Sequence, residues 1–163
     1  MMTDGEFLAD LQQQVSARSV ATSDFSETAF ASVVAEALVD SGAVPGFEPA
    51  FFVHRGMRVD GYAYTEDEAT LDLFQVEYHG EPEVQSLTKT SLDSCLKRAE
   101  TFFERAVDGD LSVEVDVGSS VWSLARQLAQ MGHSVVRVRL NILSDARLSS
   151  MVVVRASSPC REA

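Results

Sequence analysis

Cysteine, basic residues and long apolar runs are all scarce in this sequence, and each scarcity excludes a class of protein. Only two cysteines, Cys95 and Cys160, occur in 163 residues, so they build neither a disulfide framework nor a cysteine-rich zinc site. No apolar run approaches the roughly 18 residues that a membrane-spanning helix needs. The first residues, Met1 to Gly5, are acidic, unlike the basic start of a signal peptide. We therefore expect a reduced, cytoplasmic protein without membrane contact.

Acidic residues outnumber basic ones: the sequence has 13 Lys and Arg and 25 Asp and Glu, which gives a formal net charge of −12. A chain this acidic repels nucleic acid over most of its surface. Nucleic acid is therefore a disfavoured partner, and a protein partner or a second copy of the chain is favoured. The excess of acid is equally typical of a small protein that its charge keeps soluble. One small basic patch is predicted, formed by Arg126, Arg137, Arg139 and Arg147.

The order of apolar patterns predicts one α/β domain. With 163 residues, 45% of them hydrophobic, the chain suits a single core. The patterns place helices at about 4–17, 26–41, 88–107 and 119–131, and strands at about 50–54, 57–64, 70–78, 135–143 and 151–155. Three strands, a helical crossover and two further strands predict a mixed β-sheet flanked by helices. This domain is expected to span 1–155 and to precede a flexible tail, 156–163. Phe102, Phe103 and Trp122 are expected to anchor the helical layer.

The second and third predicted strands make a hairpin, and its register brings polar residues together. If Thr65 pairs with Thr70 across the four-residue turn, the same antiparallel ladder sets Asp60 opposite Gln75. Paired residues share a face of the sheet because side chains alternate along each strand. A carboxylate facing an amide oxygen offers the hard oxygen ligands that Mg²⁺ prefers, and Mg²⁺ needs only one or two from the protein. This pair is therefore a candidate magnesium site.

Two further features extend this candidate site, and a structural interpretation competes with it. The ladder sets Arg58 opposite Glu77, and Glu36 borders the apolar stripe of the second helix, from which it can reach over the sheet edge. Arg58 and Glu77 equally fit a cross-strand ion pair, which contributes about 0.2–1 kcal/mol. Asp60 followed by Gly61 equally fits a local strand irregularity. The residues alone leave both interpretations open.

The segments around this hairpin resemble a known family. They read Gly-Met-Arg-Val-Asp-Gly-Tyr over 56–62 and Leu-Asp-Leu-Phe-Gln-Val-Glu-Tyr over 71–78, with a helix at 30–38 and Leu-Thr-Lys-Thr at 87–90. Together they resemble the N-terminal domain of abortive infection phage resistance proteins. That family resembles the PD-(D/E)xK nucleases, which place a Glu on a helix, an Asp on a strand and a (D/E/Q)-x-K triplet on the next strand. The resemblance implies a restriction-endonuclease-like fold and a role in anti-phage defence.

Carried onto this sequence, the family pattern assigns Glu36, Asp60 and Gln75 to a metal site, with Mg²⁺ as the implied cofactor, and Asp60, Gln75 and Glu77 to the catalytic positions. Glu77 stands where the pattern has Lys, and a carboxylate there repels the phosphate charge that Lys would stabilise. A frame shifted by two residues puts His79 at the Lys position, where a neutral imidazole is a weaker substitute. The resemblance therefore implies a nuclease-type site that is impaired.

Two functions from different classes follow from these features. The first is a Mg²⁺-dependent nuclease-like domain of an anti-phage defence protein, with a degenerate active site. The alternative is a non-catalytic module that keeps the fold and binds a protein partner or a second copy of the chain. Glu36, Asp60 and Gln75 favour the first function, whereas Glu77 and the acidic balance favour the second.

Overall fold

The computed structural model of the chain describes residues 1–149. The described residues form helices α1 (Asp4–Thr22), α2 (Ser26–Asp40), α3 (Lys89–Val107), α4 (Asp110–Glu114) and α5 (Trp122–Met131), and strands β1 (Glu48–His54), β2 (Met57–Thr65), β3 (Thr70–Glu77), β4 (Ser86–Leu87), β5 (Arg137–Ser144) and β6 (Arg147–Leu148). The predicted order is confirmed for these residues, and the short elements α4, β4 and β6 are additions to it. The predicted strand at 151–155 and the predicted tail lie outside the described residues.

A capping box explains where the first helix begins, whereas the last helix begins without a side-chain cap. Thr3 and Glu6 form a capping box at the start of α1, because the Thr3 side chain accepts from Glu6 N and the Glu6 carboxylate accepts from Thr3 N. The predicted start of α5 at residue 119 is wrong, since the helix begins at Trp122. The Ser120 hydroxyl instead accepts from the backbone N–H of Phe51 in β1, at 3.0 Å. Ser120, which lies in the predicted first turn of this helix, therefore provides a hydrogen-bond acceptor for the backbone of β1.

Four strands form the main sheet, in the order β1-β2-β3-β5. The first three make an antiparallel meander, and β5 runs parallel to β3 from the Thr70–Arg137 pair to the Glu77–Ser144 pair. The chain crosses from β3 to β5 through α3, α4 and α5, which a parallel connection requires. β4 and β6 pair in a separate two-stranded sheet. The predicted mixed sheet flanked by helices is confirmed.

Helices cover both faces of this sheet, so each face has its own apolar core. On one face, α3 and α5 pack on β2 and β3 around buried Leu73 and Phe102. On the other face, α1 and α2 pack around buried Phe30, Phe74 and Val76. The alternation of Leu73 and Phe74 along β3 directs these neighbours into opposite cores. Consecutive residues of β3 thus pack against different helices.

The predicted role of Trp122 as a core anchor is wrong. Phe102 is fully buried, as expected, but Trp122 is only half-buried at the first position of α5. The fully buried position is taken by its neighbour Val121. The Arg126 guanidinium lies over the indole ring, 5.2 Å from its centroid, in a cation–π contact. The indole therefore stays partly exposed at the start of α5.

Candidate functional site between strands β2 and β3

Strands β2 and β3 separate at Asp60. Their ladder follows the predicted register as far as the Gly61–Phe74 pair. On the other side of β2, the register with β1 shifts between Pro49 and Phe52, where β1 carries one extra residue opposite Asp60. The predicted register is therefore confirmed from Thr65–Thr70 to Gly61–Phe74, but the predicted Asp60–Gln75 and Arg58–Glu77 pairs do not belong to the ladder. The interpretation of the Asp-Gly pair as a strand irregularity is confirmed.

The residue at position 61 must be a glycine because an aromatic ring occupies the space that a Cβ would need. A Cβ on Gly61 would lie 2.3 Å from Cε2 of Phe47. The same ring packs edge-on against Phe74, with ring centroids 5.1 Å apart. Phe47 belongs to the loop after α2, so a residue outside the strand shapes the strand.

The Asp60 carboxylate fills the gap that the separating strands leave. Its Oδ2 accepts from the backbone N–H of Val76 in β3 at 2.8 Å, in place of a backbone partner from β2. Its two oxygens also accept from Arg58, with Nε 2.9 Å from Oδ2 and Nη2 3.3 Å from Oδ1. Asp60 is buried, so these bonds compensate a charge that water no longer solvates. Asp60, which was predicted to bind a metal ion, instead links β2 to β3 and binds Arg58.

Arg58 lies among several carboxylates. Besides Asp60, its Nη2 is 3.6 Å from Oε2 of Glu27, in the first turn of α2. Burial by itself would lower the pKa of Arg58, but the hydrogen bond to Asp60 and the charges of Asp60, Glu27 and Glu77 outweigh burial and raise that pKa. The guanidinium therefore stays charged and neutralises this group of acids.

Gln75 and Glu77 bind to α3 instead. The Gln75 amide donates from Nε2 to the Cys95 carbonyl oxygen at 2.8 Å, and its fully buried Oε1 has no hydrogen-bond partner in the described part of the chain. Oε1 of Glu77 accepts from the Cys95 thiol at 3.2 Å and lies 3.5 Å from Nη1 of Arg98. Burial, followed by the hydrogen bond and charge of Glu77, raises the pKa of Cys95 to about 12. The thiol therefore stays protonated and donates to the carboxylate.

The predicted common face for Asp60 and Gln75 is not formed. Asp60 lines a cavity with residues 25–28 at the start of α2, whereas Gln75 contacts α3 on the opposite face of the sheet. The physical reason lies within β2: Val59 and Tyr62 are three residues apart yet both face the core under α3, so strict two-residue alternation fails at Asp60 and Gly61. The predicted strand pairing holds as far as Gly61, but the Asp60 side chain, one residue further on, does not lie on the face that this pairing predicted.

Glu36 lies outside this arrangement. Its carboxylate makes a two-point ion pair with Arg18 of α1, at 2.8 Å and 2.7 Å, on an exposed surface. Glu36 lines cavities with residues of α1, α2 and the loop after α2, and Asp60 lines a different one. In the described residues, no group of three or more His, Cys, Asp or Glu side chains is placed to hold a metal ion. The three predicted carboxylates, Glu36, Asp60 and Glu77, therefore do not share one pocket.

The donor set around Asp60 does not fit Mg²⁺ as it stands. Both Asp60 oxygens already accept hydrogen bonds from Arg58, and Oδ2 accepts a further one from Val76. A divalent cation on those oxygens would face the guanidinium directly, and two positive centres repel strongly where water is excluded. Among the described residues of this site, the unpartnered Oε1 of Gln75 is the feature that suits a cation or its water.

A family model for the N-terminal domain of abortive infection phage resistance proteins matches residues 30–158, more than half of the chain. The chain belongs to this family. Neither a curated protein nor a solved structure matches it. Membership confirms the family resemblance seen in the hairpin segments and identifies a domain of an anti-phage abortive infection defence protein. In the described part of this domain, no helix is both long enough and apolar enough to cross a membrane.

His79, the second candidate for the missing Lys, has a structural contact in this abortive infection domain. The Asp145 carboxylate, almost fully buried, accepts from the backbone N–H groups of His79 and Gly80 at 2.9 Å each. The Nδ1 atom of His79 lies 3.1 Å from the same carboxylate. Asp145 thereby ties the end of β3 to the turn after β5, and His79 is part of that connection.

The predicted basic patch is largely neutralised within the abortive infection domain. Nε and Nη2 of Arg139 donate to the two carboxylate oxygens of Asp72 on the neighbouring strand, at 2.9 Å and 2.8 Å. Arg147 forms an ion pair with Asp4 of α1. Arg126 lies over an indole ring. Three of the four arginines thus make contacts within the fold, and only Arg137 of the patch is left exposed without such a contact in the described part of the chain, so little positive charge remains for phosphate.

The partner of Asp60 is not the one that the hairpin pattern predicted. Arg58 was paired with Glu77 across the ladder, whereas it binds Asp60, two residues further along its own strand. The signal was present, because residues i and i+2 of a strand point to the same side. Glu27 and Asp145 gave no such signal, since their contacts join segments far apart in the sequence.

Proposed function

We propose that this domain has a restriction-endonuclease-like, PD-(D/E)xK-type fold with an impaired nuclease site, and that it serves its defence protein by binding a protein partner or a second copy instead of by cleavage. The observation that carries the proposal is the state of Asp60. Its carboxylate is buried, bonded to Val76 and paired with Arg58, so it serves the fold. A catalytic carboxylate must leave an oxygen free for metal or water.

The environment of Glu77 supports the same proposal. Glu77 stands at the position where the nuclease pattern has Lys, and its carboxylate accepts the Cys95 thiol and faces Arg98. Substitution of Lys there would place a third cation beside Arg58 and Arg98, so Glu77→Lys is expected to destabilise the fold before it restores any chemistry. The net charge of −12 also opposes nucleic acid as the partner.

One observation favours the second candidate, a Mg²⁺-dependent nuclease. Gln75 occupies the first position of the family triplet, and its buried Oε1 has no partner in the described residues. An unpaired buried acceptor is unfavourable and gains from a donor or a cation. If Mg²⁺ binds, Gln75 and Glu77 are the residues that would hold it, and the ion would supply a Lewis acid for phosphate.

A cleavage assay separates the two candidates. Purified wild type and Asp60→Asn are incubated with end-labelled single-stranded DNA, duplex DNA and RNA in millimolar Mg²⁺ or Mn²⁺. We expect neither protein to show metal-dependent cleavage of any substrate. Metal-dependent cleavage by wild type that Asp60→Asn loses would overturn the proposal and establish the nuclease.

A further inference from the structure

The centre of this site already contains a cation. The Arg58 guanidinium contacts both oxygens of Asp60 and lies 3.6 Å from Glu27. The charge of Glu77 acts on the same guanidinium. Three carboxylates, one from each of α2, β2 and β3, therefore surround one positive side chain. Asp60 depends on it most, because Glu27 is exposed and Glu77 also faces Arg98.

Burial makes this dependence strong. The side chain of Arg58 is 18% exposed and that of Asp60 is 8% exposed. Charges with so little water around them need a partner, and removal of one partner leaves the other uncompensated. The ion pair of Arg18 with Glu36 has the same two-point geometry but is 34% and 60% exposed. Water compensates that pair, so it is a matched control within the same chain.

We infer that Arg58 is the built-in counter-ion of this site, taking the charge-neutralising place of a divalent metal ion and closing Asp60 to such ions. A metal ion would need the Asp60 oxygens that Nε and Nη2 of Arg58 now occupy. The guanidinium also stays with the chain, so the separated strands are held together at any metal concentration. This inference rests on the proposed impaired site and adds the group that replaces the metal.

The inference predicts that Asp60→Asn suppresses the effect of Arg58→Gln. Alone, Arg58→Gln leaves a buried carboxylate uncompensated and is expected to lower Tm by roughly 10 °C. In the Arg58→Gln background, Asp60→Asn removes that charge and is expected to leave Tm unchanged or to raise it. In the wild-type background, the same substitution is expected to lower Tm. Thermal unfolding followed by circular dichroism measures all four proteins, and Arg18→Gln is expected to shift Tm by no more than about 2 °C.

Wild type supplies an independent measurement, and its expected result requires no variant. We expect 5 mM MgCl₂ or MnCl₂ to give the same Tm as NaCl at equal ionic strength. A metal-specific rise that Asp60→Asn abolishes would overturn the inference, because Asp60 would then be open to the ion. Equal effects of Asp60→Asn in both backgrounds would also overturn it. If the protein gives either of these overturning results but cuts no nucleic acid, the inference about Arg58 fails and the proposed function stands. If Asp60→Asn suppresses the effect of Arg58→Gln but the protein cuts nucleic acid, the inference stands and the proposed function fails.

Discussion

Gly61 is the residue on which the strand irregularity depends most directly. Gly61→Ala would place a Cβ 2.3 Å from Cε2 of Phe47 and 3.0 Å from the backbone oxygen of Glu48. Phe47 is packed against Phe74, so the ring cannot move away freely. We expect a loss of roughly 1–3 kcal/mol in the free energy of unfolding, measured by urea denaturation.

Gly46 is the matched control for this substitution. A Cβ there meets nothing closer than the Cβ of Ala63 at 4.0 Å, so Gly46→Ala is expected to change stability by less than about 0.5 kcal/mol. Equal losses at Gly46 and Gly61 would show that contact with Phe47 does not determine the cost.

Cys95 gives a second prediction at the scale of one residue. Burial and Glu77 raise its pKa from 9.0 to about 12, and only the thiolate reacts readily with iodoacetamide. In a Cys160→Ser variant, we expect Cys95 to stay unlabelled at pH 8 while the chain is folded and to react once urea unfolds it. Fast labelling of the folded protein would contradict the buried, protonated thiol.

The same pKa shift has a consequence for stability against pH. In the unfolded chain the thiol has its ordinary pKa, so the unfolded state loses this proton first as the pH rises. The folded state keeps more protons, and the contribution of the neutral thiol is full below pH 9.0 and disappears between 9.0 and about 12. Cys95→Ala is therefore expected to lose less stability than wild type over that window.

At the scale of elements, the parallel pairing of β3 with β5 includes a buried carboxylate. Asp72 is 1% exposed, and it accepts from Arg139 at 2.8 Å and 2.9 Å and from the Asn141 amide at 3.0 Å. Arg139→Gln would leave the carboxylate without its counter-ion. We expect a loss of about 3 kcal/mol, measured by urea denaturation.

Arg137 provides the comparison on the same strand. It is exposed, so Arg137→Gln is expected to change stability by less than about 0.5 kcal/mol. The double variant Asp72→Asn, Arg139→Gln should recover part of the loss, because it removes the buried charge as well. A loss at Arg139 no larger than at Arg137 would show that Asp72 does not need this partner.

At the scale of the whole molecule, the net charge of −12 predicts how stability responds to salt. Like charges spread over a small surface repel one another, and this repulsion destabilises the compact state. Added NaCl screens the repulsion, so Tm is expected to rise by a few degrees between about 20 mM and 200 mM salt. A fall in Tm over this range would indicate that surface ion pairs outweigh the general repulsion.

The sequence by itself determined the long helices and strands and the hairpin register from Thr65–Thr70 to Gly61–Phe74. Apolar residues at periods of 3.6 and 2 mark helices and strands wherever one face is buried, and this property is local. The four-residue turn between Thr65 and Thr70 fixed the pairing of β2 with β3 because a hairpin loop sets its own register. The segments of that hairpin also carried the family resemblance that the family model confirms.

Only the tertiary structure decided what the candidate site residues do. Phe47, from another segment, packs on Gly61, and the adjacent irregularity turns Asp60 away from the face that strict alternation assigned to it. Arg58 pairs with Asp60 and not with Glu77 because, where the strands separate, the Asp60 carboxylate is buried and accepts from the backbone N–H of Val76. Such contacts depend on the packing of distant segments, whereas the periodicity of a strand records only which side of the chain is buried.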